Sequence, residues 1–282
     1  MIDILTFMSP AICMCIILVG ICVYAGIHVI MREVIFIDIA LAQIAAFGAT
    51  IGLFLGLELT SAWTYVISLI FALLAAALLS GTKRLSDRTP APQEAFIGIL
   101  YATGAAAVLL AGDRLAHGSE HVHDLMGGHL LWVTWPEVGW YFLICAILGL
   151  VYALSHNRLL EAGKATRTNT RASLLWEFVF YALLGALVTF IVRVAGVLLV
   201  FGFLIVPALI GVLLGSSLAR QLIIGWIVGV LFSLIGSYLS FALDFPTGGT
   251  VVVVLGVGLF LVALLKGIWL VAGQRGSGEM AP

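Results

Sequence analysis

Long apolar stretches make up most of the chain, and short polar segments separate them. A helix needs about 20 apolar residues to cross the hydrocarbon of a membrane, and in that solvent a helix satisfies all of its own backbone hydrogen bonds. The pattern therefore predicts eight or nine membrane-spanning helices, depending on whether 196–215 crosses the bilayer. The predicted spans are 7–29, 34–57, 61–81, 94–112, 137–155, 173–192, 196–215, 222–243 and 249–271.

Composition supports a membrane protein. Of the 282 residues, 63% are hydrophobic and only 10% are charged, whereas a soluble domain keeps roughly a quarter of its residues charged. The polar runs 82–93 and 156–172 are too short to enclose a soluble core. We therefore predict an all-α polytopic membrane helix bundle, with one transmembrane domain over residues 1–272 and a short polar tail over 273–282.

The basic residues indicate how the spans are oriented, because cytoplasmic connections collect Lys and Arg. If the N-terminus lies outside, only Arg114 and Arg193 fall on the outer side. The basic residues that fall inside are Arg32, Lys83, Arg84, Arg88, Arg158, Lys164, Arg167, Arg171, Arg220, Lys266 and Arg275. The acids on the outer side are Asp3, Glu58, Asp113, Glu120, Asp124, Glu137 and Asp244. We therefore predict an external N-terminus and an acidic outer face that attracts cations.

Four of the six histidines lie in one external connection, HGSEHVHDLMGGH, residues 117–129. Imidazole nitrogens and carboxylate oxygens are the donors that zinc or manganese accepts. One interpretation is a loop that collects cations; the other is a solvated loop whose histidines bind nothing. The candidate metal ligands are His117, Glu120, His121, His123, Asp124 and His129.

Asp38 and Gln43 are polar residues in the apolar run VIFIDIALAQIAAFGATIG. An acid at the middle of a bilayer costs on the order of 3 kcal/mol, so Asp38 needs a partner, water or a proton. We predict that both residues line a transport path. On a regular helix they lie about 140° apart, so this requires a helix break or two different neighbours. The alternative for each is a hydrogen bond between helices.

Pro207 interrupts the run VLLVFGFLIVPALIGVLLGSSLAR. Proline lacks an N–H and clashes with the preceding turn, so we predict a break or a kink there. With a break, a short second helix over 208–214 ends at Gly215, and Arg220 places that end on the cytoplasmic side, where it can touch a soluble partner. With a kink, the segment remains one span.

Signatures of enzymes are mostly absent. The chain lacks H-E-x-x-H, G-x-S-x-G and the phosphate-binding G-x-x-x-x-G-K-[ST], so any ATP must be hydrolysed by another subunit. The pair His117 and His121 could form one box of a di-iron membrane oxidase, but only His28 and His156 remain for the other boxes. A net charge of −1 gives no reason to expect nucleic acid as a partner.

Three segments carry more specific patterns. They are VRVAGVLLVFGFLIVPALIGVLLGSSLAR (Arg193, Gly196, Leu198, Leu199, Pro207, Ala208), SYLSFALDFPTGGTVVVVLG (Tyr238, Asp244, Pro246, Gly248, Thr250) and PQEAFIGILYA (Glu94, Ile97, Gly98, Ile99). These residues resemble those of the ABC-3 family, the membrane permeases of bacterial ABC importers for zinc, manganese and iron. The resemblance covers nearly the whole chain.

The second span departs from the pattern of that family. Many members read F-I-G-D-A-L-S-H-A there, with an aspartate and a histidine implied to contact metal. In this chain Phe36 and Ile37 match, Asp38 stands one position before the usual acid, and Gln43 replaces the histidine. Gln43 offers a carbonyl oxygen but no imidazole nitrogen, so the metal site of the family does not carry over intact.

The resemblance implies a permease subunit in the bacterial inner membrane that imports a divalent metal ion and itself holds no cofactor. The implied partners are a second permease chain, two cytosolic ABC ATPase subunits and an external solute-binding protein. The expected ATPase-coupling surface is the segment 207–220 with the 156–171 loop, although the basic residues of that loop alternatively only set the topology. Its candidate residues are Pro207, Gly215, Arg220, Arg158, Lys164, Arg167 and Arg171. The rival function is a secondary transporter or channel for a cation, which predicts more paired ionisable groups at mid-membrane.

Overall fold

The computed structural model describes residues 2–86, 88–115, 128, 130–164 and 171–278. This part of the chain is helical, without a β-strand. Its α-helices are α1 (Ile2–Met31), α2 (Ile37–Phe54), α3 (Ala62–Ser86), α4 (Gln93–Gly112), α5 (Trp135–Lys164), α6 (Arg171–Ala195), α7 (Val197–Leu214), α8 (Leu218–Leu243) and α9 (Thr247–Gly278), and one 3-10 turn, Leu130–Trp132, precedes α5.

All nine of these helices are long and apolar enough to cross a membrane. The predicted class, an all-α polytopic bundle, is therefore confirmed, and the segment 196–215 is a membrane-length helix, Val197–Leu214. Helix α9 continues to Gly278, past the residue at which the polar tail was predicted to begin.

Two helix boundaries differ from the prediction. Helix α5 was predicted to end at 155 but runs to Lys164. Residues 156–164 of the expected 156–171 loop are therefore helical. The extension contains the good helix formers Leu159, Leu160, Glu161 and Ala162, and the side chains of Leu159 and Ala162 are buried against the bundle. Burial of these two side chains therefore stabilises helix in 156–164, although the polar residues of this segment had predicted a loop.

The predicted break at Pro207 does not occur, because α7 continues through it to Leu214. The separate helix over 208–214 was therefore the wrong alternative. Gly229 of α8 packs on the proline ring, and Gly225 lies against the Pro207 carbonyl. These two glycines leave room for the ring beside α8, so the continuous helix is tolerated.

Helices α1, α2, α6 and α7 form the centre of the bundle, and more than half of each span is buried. Helix α1 packs against α5, α7 and α8, whereas α2 packs against α3 and α4. The approach of α1 to α7 is very close, because a Cβ atom at Gly26 would overlap the carbonyl oxygen of Leu204. Helices α4 and α9 are the least buried.

Side-chain contacts identify which helix ends meet. Arg32 and Lys83, near the C-terminal ends of α1 and α3, both pair with Glu177 near the start of α6. Arg32 also donates to the carbonyl of Leu159 on α5. We call this side of the bundle the α1–α2 end. At the opposite side, the α2–α3 end, Arg193 near the end of α6 donates to the carbonyl of Leu59 before α3.

One residue of the histidine-bearing connection is described, Gly128, with φ of 65°. Its backbone lies on the junction between α6 and α7, so close that a Cβ atom would be 2.6 Å from the nitrogen of Gly196. Gly196 also has a positive φ, 77°, which glycine adopts without strain. The following 3-10 turn contacts α1 and α9 and buries Leu130. This connection is therefore anchored at the α2–α3 end.

Candidate functional site

Asp38 is buried in the first turn of α2, at the α1–α2 end rather than at the middle of the span. Both of its carboxylate oxygens are buried without a hydrogen-bond partner among the described residues. The amides of Asp38 and Ile39 lie near them, and the N-terminus of a helix favours a negative group. Asp38 is thus a carboxylate with unused capacity to bind a cation.

Glu94 is a second carboxylate beside Asp38, close enough for the two charges to interact. Its Oε1 accepts a hydrogen bond of 2.6 Å from the backbone N–H of Ile35, which precedes α2. Its Oε2 is buried and, in the described part of the chain, has no partner. Carboxylate oxygens suit hard divalent cations such as manganese. The pair alone is not a complete site: among the described residues no three His, Cys, Asp or Glu side chains group closely enough to hold a metal ion.

Gln43 lies away from this carboxylate pair. Helix α2 is continuous from Ile37 to Phe54, so Gln43 projects about 140° from Asp38 around the axis. Gln43 is buried against Gly104 of α4, where a Cβ atom would come within 3.1 Å of the Gln43 Cβ. The structure therefore does not bring the two residues of the predicted path together on one face.

The most extensive buried polar cluster at the α1–α2 end joins four helices. Glu177 is 0% exposed, and its Oε1 accepts a hydrogen bond of 2.6 Å from Lys83 Nζ. Its Oε2 lies 3.4 Å from Arg32 Nε, an ion pair without hydrogen-bond geometry. Arg32 also donates to the carbonyl of Leu159 at 2.8 Å and lies 4.0 Å from the ring centre of Phe180. One buried acid thus holds two cations from different helices.

His28 and His156 lie near each other, but among the described residues they belong to no metal-binding group. His28 is buried, and its Nδ1 lies 3.3 Å from Arg32 Nη1. Its ring centre is 6.2 Å from that of His156, whose Nδ1 is 2.6 Å from the Tyr24 hydroxyl. The permanent positive charge of Arg32 beside His28 disfavours a metal ion there, and the contact between Tyr24 and His156 joins α1 to α5.

At the α2–α3 end, Arg193 is a buried cation without an acidic partner among the described residues. Its guanidinium lies 3.6 Å from the ring centre of Tyr65 and donates to Ser68 Oγ at 3.2 Å and to the Leu59 carbonyl. These contacts tie α6 to α3 and to the segment before it. Arg193 is thus held by a π face and neutral acceptors rather than by a carboxylate.

The turn between α7 and α8 is compact. Ser217 accepts a hydrogen bond from the backbone N–H of Arg220 and caps α8, while Arg220 Nη1 donates to Ser216 Oγ at 3.0 Å. Gln221 Nε2 donates to the carbonyl of Gly215 at 3.3 Å. Pro207 lies within α7, well before this turn. Gly215 and Arg220 therefore belong to one rigid surface turn, and Pro207 does not.

The other predicted site residues are only partly described. Arg158 is exposed on α5, 5.5 Å from the ring centre of Trp176. The side chains of Lys164 and Arg171 and the whole of Arg167 lie outside the described residues. The six candidate ligands of the histidine-bearing connection also lie outside them: His117, Glu120, His121, His123, Asp124 and His129.

Glu177 is a buried charged residue that the sequence analysis did not single out. It lies in the apolar run LLWEFVFYALL, so the rule that singled out Asp38, an ionisable residue within a span, applied to it as well. It lies four residues after the start of the predicted span 173–192, where an acid is less costly than at the middle of a membrane.

The family model described as the ABC 3 transport family matches residues 4–267, which include most or all of every helix. A probable metal transport system membrane protein of Chlamydia pneumoniae is 23% identical over 83% of this chain and 80% of its own length. A probable iron transport system membrane protein of Haemophilus influenzae is 28% identical over 87% and 85%. The fold matches PsaBC from Streptococcus pneumoniae, solved in complex with a Fab, with a TM-score of 0.74 and 18% identity over 93% of each chain.

Proposed function

Because this multi-pass membrane chain belongs to the ABC 3 transport family, we propose that it is the permease subunit of an ATP-driven importer for a divalent metal ion. The observation that carries the proposal is the family match over residues 4–267. The names of the relatives from Chlamydia pneumoniae and Haemophilus influenzae, which refer to metal and iron, support a metal ion as cargo. Zinc, manganese and iron are the ions to test.

In this proposal the nine helices form one transmembrane domain, residues 1–272, in the bacterial inner membrane. The α2–α3 end faces outside with the N-terminus and receives the ion from an external solute-binding protein. The acids Glu58, Asp113, Glu137 and Asp244 near that end support this direction, because they attract cations. Two permease chains form a dimer in the working transporter.

The α1–α2 end faces the cytoplasm and carries the ATPase subunits. The surface turn between α7 and α8, with Gly215 and Arg220, is the proposed docking point, and the exposed Arg158 on α5 is the second. Lys164 and Arg167 belong to the same proposed surface. The short turn, fixed by Ser217 and Gln221, suits this role because a rigid contact transmits motion to both helices.

Asp38 is the proposed ion-contacting residue at this end of the path. Its two oxygens have no side-chain partner among the described residues, and the Glu94 carboxylate is close enough for the two charges to interact, so a cation would satisfy both acids. Gln43 faces α4 and is proposed to line a different stretch of the path. The loss of the usual histidine favours an ion that accepts oxygen ligands, such as manganese or iron.

The test is transport by the complete assembly. The chain is reconstituted in vesicles with its ATPase and binding-protein partners, and uptake of zinc, manganese and iron is measured with and without ATP. We expect ATP-dependent uptake of at least one ion, its loss in Asp38→Asn, and its retention in Glu33→Gln, which alters an exposed acid in the turn between α1 and α2.

The other outcomes are equally informative. Uptake that needs no ATPase would identify a secondary transporter or channel instead. No uptake of any of the three ions by the wild-type assembly would contradict the proposed cargo. Loss of uptake in a double variant, His121→Ala with His123→Ala, would place the histidine-bearing connection on the route, and unchanged uptake would make those histidines spectators.

A further inference from the structure

A groove of about 620 Å³ runs between α1, α5 and α8. It lies within the membrane spans of all three helices. Helix α1 packs against both α5 and α8 and forms the floor of the groove. Ile16, Phe142 and Trp226 stand at its rim and are 48%, 59% and 40% exposed. The groove therefore opens sideways, toward the hydrocarbon of the bilayer.

No side chain of the described residues fills the groove above two glycines. Gly20 of α1 and Gly149 of α5 both line it, and at either position a Cβ atom would have nothing within 4 Å. The volume falls within the range of small-molecule sites, 300 to 1,000 Å³. Along α5 the groove extends from Phe142 to His156, about 21 Å at 1.5 Å per residue. That exceeds the roughly 15 Å of one hydrocarbon leaflet.

One end of the groove is polar. Tyr24 and His156 both line it, and the Tyr24 hydroxyl lies 2.6 Å from His156 Nδ1. When the hydroxyl donates to Nδ1, the ring proton resides on Nε2, which is then a donor. Trp226 is different, because its indole N–H donates to the carbonyl of Gly20 at 2.9 Å. Trp226 thus offers the groove only an apolar ring, whereas His156 in that tautomer keeps its Nε2–H as a donor.

We propose that this groove is a specific phospholipid site, which holds one acyl chain along α5 while the glycerol ester carbonyl accepts a hydrogen bond from His156. A helix of a second copy suits the groove less well. Its backbone carbonyls are already bonded within the helix, whereas the ester carbonyl of a lipid is free. His156 lies in the C-terminal part of the α5 span, Trp135–Gly163, so the polar end of the groove is the end nearer to a membrane interface, where the ester groups of a lipid lie. The site requires only that the chain lies in a membrane, so it is independent of the transported ion.

The experiment uses the full chain in nanodiscs that contain a phospholipid with a photoreactive diazirine on one acyl chain. After irradiation, labelled peptides are mapped by mass spectrometry. We expect label concentrated on α1 and α5 along the groove. Helix α9, whose Phe260 and Leu264 are 75% and 61% exposed, reports general contact with lipid. Label spread evenly over α1, α5 and α9 would overturn the proposal without any variant.

Variants test the floor and the donor separately. Gly149→Leu fills the groove, so the preferential labelling of α1 and α5 should be lost, whereas Gly139→Leu, the same change at an open position of α5 outside the groove, should leave it intact. His156→Leu should abolish retention of phospholipid in native mass spectrometry, and Asn157→Leu at the exposed neighbouring position should not. Unchanged labelling in Gly149→Leu, or dissociation of a permease dimer by that variant, would contradict a lipid occupant.

Discussion

Two buried acids at the α1–α2 end differ in how their charge is satisfied. Glu177 lies between two cations, Lys83 and Arg32, whereas Asp38 has no hydrogen-bond partner among the described residues. A buried charge without partners is costly and is retained where function needs it. A buried charge with two partners holds helices together. The two residues therefore have different roles, Asp38 in binding and Glu177 in packing.

Replacing Glu177 should destabilise the bundle strongly. Glu177→Gln leaves the buried Arg32 without its counter-ion, and removal of one partner from a buried pair costs about 3–5 kcal/mol. We expect a loss of about 3 kcal/mol or more in the free energy of unfolding, measured by denaturant titration in detergent. Glu161→Gln on exposed α5 surface is the control and should change the same quantity by less than about 0.5 kcal/mol. Equal effects would show that the cluster contributes nothing to stability.

The sequence predicted some of these residues and not their partners. Asp38 stood out because an acid within an apolar run is rare. The partners of Glu177 could not be predicted, because Lys83 is 94 positions away along the chain and a single sequence does not show which helix ends meet. The sequence placed Asp38 and Gln43 on one path, but the continuous helix α2 separates them by about 140°.

Among the helices, contacts of backbone against backbone decide how closely they approach. Helix α1 meets α7 at Gly26 so closely that no side chain fits there. In lipid, small residues at such contacts replace the hydrophobic effect as the source of helix association. The close contact between α1 and α7 is thus possible because Gly26 has no Cβ atom.

Gly26→Ala should separate α1 from α7. Its Cβ atom would overlap the Leu204 carbonyl and come within 3.0 Å of the Ala208 Cβ. Overpacking of this kind costs about 1–3 kcal/mol, so the thermal unfolding midpoint in detergent should fall by several degrees. Gly20→Ala lies on the same helix with nothing within 4 Å and should leave the midpoint unchanged or raise it. A fall in both variants would point to α1 itself rather than to its contact with α7.

Helix existence was predictable from the sequence, and helix boundaries were less so. Runs of about 20 apolar residues predicted eight of the nine spans and left 196–215 open, because a chain in lipid must satisfy its backbone hydrogen bonds as a helix. The extension of α5 to Lys164 depends on the burial of Leu159 and Ala162. The continuity of α7 through Pro207 depends on Gly225 and Gly229 of a neighbouring helix. Both are tertiary effects that local sequence does not encode.

For the whole molecule, the two ends of the bundle should face opposite compartments. Arg88 and Asp113 are exposed on either side of α4, so single cysteines at these positions report the two faces. With an external N-terminus, a membrane-impermeant maleimide should label Asp113→Cys in intact spheroplasts and Arg88→Cys only after lysis.

Background labelling should be low, because the four native cysteines lie in helices and three of them are buried. Labelling of Arg88→Cys but not Asp113→Cys in intact cells would reverse the proposed orientation and move the histidine-bearing connection to the cytoplasm. At this scale the family match confirms what the three segments indicated, whereas the orientation inferred from the charge pattern stays a prediction. The order in which helices pack around α1 and α7 had to come from the structure.

The order in which residues leave the ribosome matters for the cluster around Glu177. Membrane chains are built from the N-terminus onward, so Arg32 and Lys83 are already in the bilayer when α6 emerges. The acid is the last of the three charges to be synthesised. The long, flexible side chains of Arg32 and Lys83 can keep their charged ends at the membrane interface. Both are then available to pair with Glu177 when α6 enters the membrane. This order of synthesis lets the ion pairs of Glu177 with Arg32 and Lys83 form without an unpaired carboxylate entering lipid.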